Sequence, residues 1–194
     1  VEDLAYFYLD FLEERKLDNV VLVGVSFGAW IALQIAIMNT SRIAGLLLAS
    51  PVGAKFGDRM SREVTDIFAL PLYEHPPLLH ANPALAGRNY KSESEDKLLR
   101  LARNYESFAL FGWSPTLHDP QLVKRLHRIK VPTKFLWGEK DRIASVDYGR
   151  KFAAAVPGAG FEVIAGAGHY LHADTPQVFS SAVEKFIKDL PSAP

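Results

Sequence analysis

The chain has 194 residues, 48% of them hydrophobic and 23% charged, which suits a single globular domain with a substantial core. Lys+Arg and Asp+Glu both number 22, so the charge balance gives no reason to expect nucleic acid or an anionic membrane as a partner. Cysteine is absent, which removes disulfides, thiol catalysis and thiolate metal sites.

The first residues, Val1-Glu2-Asp3, are acidic and lead straight into a helical pattern, unlike a signal peptide. The longest apolar run, around Ile43 to Ala49, falls far short of the ~20 residues a membrane span needs. The expected compartment is cytoplasmic.

Residues 3–16 predict an amphipathic helix, with Leu4, Phe7, Tyr8, Phe11 and Leu12 as its apolar stripe. Leu17-Asp18-Asn19 is a turn. Val20 to Val23 is apolar without alternation, as in a strand buried on both faces of a parallel sheet. A helix follows from Phe27 to Met38, then a second buried strand from Ile43 to Ala49. Helix, strand, helix, strand predicts parallel βαβ units.

From residue 54 to about 128 the pattern changes to helices and loops with no convincing strand. Ser61 to Leu70 predicts a short helix. Pro71 to Pro83 holds four prolines and reads as a loop. Ser92-Glu93-Ser94-Glu95 resembles a capping box opening a helix over 95–110, with Leu98, Leu101, Ala102, Tyr105, Phe108 and Ala109 on its apolar face. Asp119-Pro120 reads as the start of a further helix, to about Arg128. A helical insert between two strands of a parallel sheet is the expected form of a cap over an active site.

The sheet then resumes. Thr133 to Trp137 is a third strand and Phe161 to Ile164 a fourth, with a helix between them capped by Ser145 and reaching about Ala155. Thr175-Pro176 opens a last helix to about Asp189. The tail, Pro191 to Pro194, is expected to be mobile. The domain reading is therefore a core of residues 1–53 and 129–194 with a helical cap at 54–128. The fold class is α/β, a parallel sheet with flanking helices.

The chemistry centres on Gly24-Val25-Ser26-Phe27-Gly28, set between a strand and a helix. A serine hydroxyl becomes a nucleophile only beside a base, and a sharp strand-to-helix turn holds it in the open. Gly24 and Gly28 are expected to avoid the clashes such a turn creates. The N–H groups at the helix start, with Phe27 first, could receive an oxyanion.

Ligand sites in open α/β sheets gather beyond the carboxyl ends of the strands. Ser26, Asp141 and His169 follow the first, third and fourth strands, in the order Ser, Asp, His. His169 would act as the base, with Asp141 fixing its tautomer. His172 is a rival base, but it sits in the approach to the last helix. Asp147 and Asp174 are rival acids, and both read more simply as helix-start or solvent-facing carboxylates. His75, His80, His118 and His127 fall in the cap or its exit and read as structural or solvated, with room for one to touch substrate.

With these residues in place, the chain resembles the α/β-hydrolase superfamily. Gly24-Val25-Ser26-Phe27-Gly28, Gly138-Glu139-Lys140-Asp141 and Gly166-Ala167-Gly168-His169 all look like its motifs, and Arg125 to Pro132 looks like its re-entry from cap to core. The resemblance implies a serine hydrolase for a small-molecule substrate, with no cofactor, no metal and a specificity-shaping cap. A serine nucleophile argues against the branches that use aspartate there.

Full-length members carry strands and an oxyanion loop before the first helix seen here, so the chain is expected to be the C-terminal portion of a larger hydrolase. The first strand would then offer an exposed edge for association or for a missing N-terminal segment. The expected activity is hydrolysis of a carboxylic ester or a related acyl compound, apolar or aromatic, through an acyl-Ser26 intermediate. Hydrolysis of a C–C bond in diketone-like ring-cleavage products and non-catalytic ligand binding are the alternatives.

Overall fold

The computed structural model describes residues 1–58, 60–87 and 90–191, with the side chain of residue 90 left aside. The expectation of a mobile tail falls mainly on residues 192–194, outside the described residues.

The first helix, α1, spans Glu2–Glu14. Strand β1 (Val20–Val25) follows, then α2 (Phe27–Met38) and β2 (Ile43–Ala49). After a long helical segment come β3 (Thr133–Gly138), α7 (Val146–Ala155), β4 (Gly160–Ile164), α8 (Leu171–Asp174) and α9 (Pro176–Lys188). The strands form one parallel sheet in the order β1-β2-β3-β4.

Alternate residues of the inner strands enter two separate cores. Leu46, Leu48, Phe135 and Trp137 pack on the face covered by α2 and α7. Leu47, Ala49, Leu136 and Ile164 pack with Ala182 and Phe186 of α9 on the other face. Both faces of β2 and β3 are dry, so their sequences are apolar without alternation. The prediction of a doubly buried strand fails for β1. That strand is outermost in the sheet, and its Val23 is 43% exposed.

Helix α1 also departs from expectation. Its buried residues are Ala5 and Leu12, while Phe7, Tyr8 and Phe11 are exposed. Ala5 and Leu12 join the core cluster that holds the buried side of α2, and the aromatic stripe is left facing outward.

Between β2 and β3 the described residues contain no strand. Two isolated bridges, Gly53 with His118 and Val64 with Ala144, tie the segment to the core. The helix predicted over Ser61–Leu70 shrinks to a single 3-10 turn at Ile67–Ala69. Thr65 donates its N–H to the Ile143 carbonyl at 2.8 Å, which holds residues 64–65 extended. Asp66 then caps the late turn, accepting from the N–H groups of Phe68 and Ala69.

The predicted Pro71–Pro83 loop contains short helices: a 3-10 turn at Leu72–Glu74, then α3 (His75–Leu79), with α4 (Pro83–Ala86) starting at its last proline. Their prolines occupy the first helical positions, where a missing N–H costs nothing. Helix α5 runs Glu95–Gly112 as expected, but Ser94 is its N-cap and makes no side-chain capping bond. The predicted helix after Asp119-Pro120 begins later, as α6 (Leu122–Arg125), and tightens into a 3-10 turn at Leu126–Arg128.

Candidate active site

Ser26 sits between β1 and α2 with φ 53° and ψ −118°, in the left-handed region that non-glycine residues avoid. Three backbone hydrogen bonds hold it there. Its N–H donates to the Ala49 carbonyl at 2.8 Å, and its own carbonyl accepts from Ala29 and Trp30 at 3.1 and 3.2 Å. Gly24 makes the turn feasible, because a Cβ there would lie 2.5 Å from the Ala29 Cα. The same expectation for Gly28 is not met: a Cβ there would meet nothing within 4 Å.

The other two residues arrive on neighbouring turns beyond β3 and β4. His169 Nε2 is 2.7 Å from Ser26 Oγ, and His169 Nδ1 is 2.9 Å from Asp141 Oδ2. The side chains of His169 and Asp141 are 1% and 0% exposed. Asp141 Oδ1 accepts from the N–H groups of Ile143 and Ala144 at 2.8 and 3.0 Å. A carboxylate has only acceptors, so Nδ1 of the neutral ring must carry the proton. Nε2 is left bare to accept from the Ser26 hydroxyl. The turns touch through their backbones: a Cβ on Gly138 would lie 2.0 Å from the Gly168 carbonyl oxygen.

Phe27, the expected oxyanion donor, is the first residue of α2. The first N–H groups of a helix have no intrahelical partner, so this end is open to an anion. Its ring packs edge-on against Phe108 of α5 at 5.1 Å.

These residues open onto a cavity of about 730 Å³. Ser26, Phe27 and His169 line it on the core side, and Ile67, Leu101, Tyr105 and Phe108 line it on the helical side. Its wall is mostly apolar, and among the described residues no Lys, Arg, Asp or Glu lines it. Phe68 packs at a tilt against both Tyr105 and Phe108 beside it, whereas Phe56 packs with Tyr148 and Phe152 in the core. Trp113 is largely exposed.

The rival residues fall elsewhere. Asp147 is exposed, in the first turn of α7, as expected. His172 packs against Tyr170 and Phe179, and its buried Nδ1 has no hydrogen-bond partner among the described residues. Burial, with the nearby His80, pushes its imidazole below the ordinary value.

Asp174 contradicts the solvent-facing reading. Its side chain is 1% exposed. Oδ2 accepts from the N–H groups of Ala81 and Gly168 at 2.7 and 2.8 Å, and Oδ1 from His80 Nδ1 at 3.1 Å. Burial would raise this carboxyl, but those backbone N–H bonds and His80 outweigh it and hold it below the usual carboxylate range. The sequence carried no signal for this clamp, because its donors lie up to 94 positions away.

Of the remaining histidines, His75 is buried and donates through Nε2 to the carbonyls of Ile67 and Leu70. His118 Nδ1 bonds the Thr116 carbonyl, and His127 is exposed. Both His75 and His80 line the cavity. Among the described residues no group of three His, Asp or Glu could hold a metal ion, and no helix is long and apolar enough to cross a membrane.

The model of the alpha/beta hydrolase family matches residues 1–182. The chain belongs to the alpha/beta hydrolase family. It is 27% identical to an uncharacterized protein of Mycobacterium tuberculosis, over 92% of this chain and 58% of that protein. It is 26% identical to the sn-1-specific diacylglycerol lipase of Mus musculus, over 91% of this chain and 61% of the lipase. The chain thus spans less than two thirds of either relative. A meta-cleavage product hydrolase from Pseudomonas fluorescens superposes with a TM-score of 0.70 at 16% identity, covering 94% of this chain and 69% of that one, and this likeness bears on fold alone.

Proposed function

We propose that this chain carries the catalytic machinery of a serine hydrolase acting on carboxylic esters with an apolar or aromatic acyl group. The observation that carries the reading is the position of His169. It bridges Ser26 Oγ and Asp141 at hydrogen-bond distance, at the wall of a large apolar cavity.

The chemistry follows from the geometry. Ser26 Oγ attacks the ester carbonyl carbon while its proton passes to His169 Nε2. Asp141, fully buried and bonded to Nδ1, stabilises the imidazolium that forms. The negative oxygen of the tetrahedral intermediate lies toward the Phe27 N–H and the start of α2. Collapse breaks the C–O bond, and His169 returns the proton to the leaving alcohol. A water deprotonated by His169 then attacks the acyl-Ser26, releasing the acid and restoring the serine.

Residues 54–128 act in this reading as the cap, since α5 and the Ile67 turn form the wall opposite Ser26. A cavity of this volume takes a small ring or a medium acyl chain. The alternative of a non-catalytic binder gives no reason for a strained serine hydrogen-bonded to a buried His-Asp pair. An sn-1-specific lipase among the relatives accords with ester chemistry.

Intact mass after exposure to a fluorophosphonate tests the reading. One adduct on the chain and none on its Ser26→Ala variant is expected, together with hydrolysis of aryl esters. An unmodified, demonstrably folded chain would overturn it.

A further inference from the structure

The cavity wall carries a second histidine backed by an aspartate, His80 with Asp174 behind it, that the ester reaction does not use. His80 follows α3, and its side chain is 16% exposed. Nδ1 faces Asp174 Oδ1 at 3.1 Å, on the core side. Asp174 is itself fixed by the N–H groups of Ala81 and Gly168, so the ring is anchored on a carboxylate that cannot swing away. Tyr170 supports two of the three cavity histidines: it stacks on His169 at 5.7 Å and meets His80 edge-on at 5.6 Å.

The anchor decides what the ring presents. Asp174 accepts only, so Nδ1 carries a proton and Nε2 points away from the carboxylate. His80 lines the cavity, and its Nε2 has no hydrogen-bond partner among the described residues. His75, the other cavity histidine outside the Ser26 site, has Nε2 committed to two backbone carbonyls. Asn104, Tyr73, Tyr105 and Tyr170 also line this mostly apolar cavity, but His80 is anchored on a buried carboxylate, and a polar atom held that rigidly discriminates, since an apolar ligand would leave it unpaired.

The geometry points to His80 Nε2 as a subsite for a hydroxyl group on the substrate, away from the scissile bond. This rests on the serine-hydrolase reading and names the substrate class within it: esters whose apolar or aromatic portion carries one hydroxyl. A hydroxyl suits either state of the ring. It donates to a bare Nε2 and accepts from Nε2–H. A carboxylate would match only the protonated ring, and the cavity wall offers it no Lys or Arg. Asp174 acts through His80 as a positioning residue.

The test is equilibrium binding to the Ser26→Ala chain, which cannot turn over. The probes are methyl phenylacetate and its three ring-hydroxylated isomers. At least one isomer is expected to bind about fivefold to tenfold more tightly than the parent ester, the worth of one hydrogen bond. Adding His80→Phe should collapse that ratio to within about twofold, while His80→Gln, which keeps a polar group, should retain a measurable preference. Circular dichroism verifies that both variants fold.

Equal affinity for all four esters, binding of none, or a preference that survives His80→Phe would each overturn the proposal. Hydrolysis by the unaltered chain is read separately. Preference without hydrolysis sinks the functional reading and leaves the subsite standing, and hydrolysis without preference does the reverse.

Discussion

His169 Nε2 lies 2.7 Å from Ser26 Oγ although 143 positions separate them along the chain. The parallel sheet makes this possible by bringing the ends of β1 and β4 to the same rim. In the proposed reaction the chemistry at that rim depends on which nitrogen of His169 holds the proton, and the bond from Nδ1 to Asp141 would decide it.

Asp141→Asn should therefore lower kcat for aryl esters by about 10⁴-fold with little change in fold. The carboxamide can donate to Nδ1 and so place the imidazole proton on Nε2, facing Ser26. Steady-state kinetics beside a thermal melt would check it. Activity within tenfold of the parent would mean that Asp141 does not set the tautomer.

Gly24 and Gly28 share one motif and should respond in opposite ways. At Gly24 a methyl group meets the Ala29 backbone at 2.5 and 2.7 Å, which nothing flexible can relieve. Gly24→Ala should cost about 3 kcal/mol or more, or abolish folding. At Gly28, inside α2, a methyl group meets open space. Gly28→Ala should gain up to about 1 kcal/mol, raising Tm by a few degrees. Paired urea denaturation curves would decide.

Asp174 should set part of the acid stability. Its carboxyl is held below its ordinary value of 3.8 in the fold. The stability it contributes is then fully present above that value and is lost as pH falls through the lower, folded value. Asp174→Asn should be less stable than the parent at neutral pH, and the gap should narrow below about pH 4. A gap constant from pH 7 to pH 3 would contradict the assignment.

His172 works in the same direction in a different window. Its imidazole is depressed below 6.5 by burial first and by His80 next. The unfolded chain takes up the proton more readily than the fold, so stability declines as pH falls below about 6.5 and stops declining once the folded ring is itself protonated. His172→Phe should remove that decline. Melts between pH 7.5 and 5 would reveal it, and an identical slope in the variant would refute it.

What could be read from the sequence was local or set by the sheet. The Ser26 turn was legible because strand, glycine, serine and helix lie within a few residues. Asp141 and His169 were legible because strand ends in such a sheet share one rim. Asp174 was missed because the carboxylate beside α9 is claimed by Ala81 and His80, which nothing nearby announces. Residues 61–66 read as helix because their pairing with Ile143 and Ala144 depends on a segment far along the chain. The aromatic stripe of α1 was assigned inward on periodicity, yet Ala5 and Leu12 are the residues of α1 that join the core.

The close approach of Gly138 to Gly168 carries a mechanical consequence. Lys140 donates to the Ala167 carbonyl, Glu139 to that of Ile164, and Gly166 to the Glu139 carboxylate, at 2.8, 3.0 and 2.8 Å. Asp141 and His169 thus ride on one stiff bracket laced across two adjacent turns. Ser26 stands on a separate post, β1, at the opposite edge of the sheet from β4. When the molecule warms or is strained, the joint between Ser26 and His169 should open while the joint between His169 and Asp141 holds, so the Ser26–His169 hydrogen bond should be lost first.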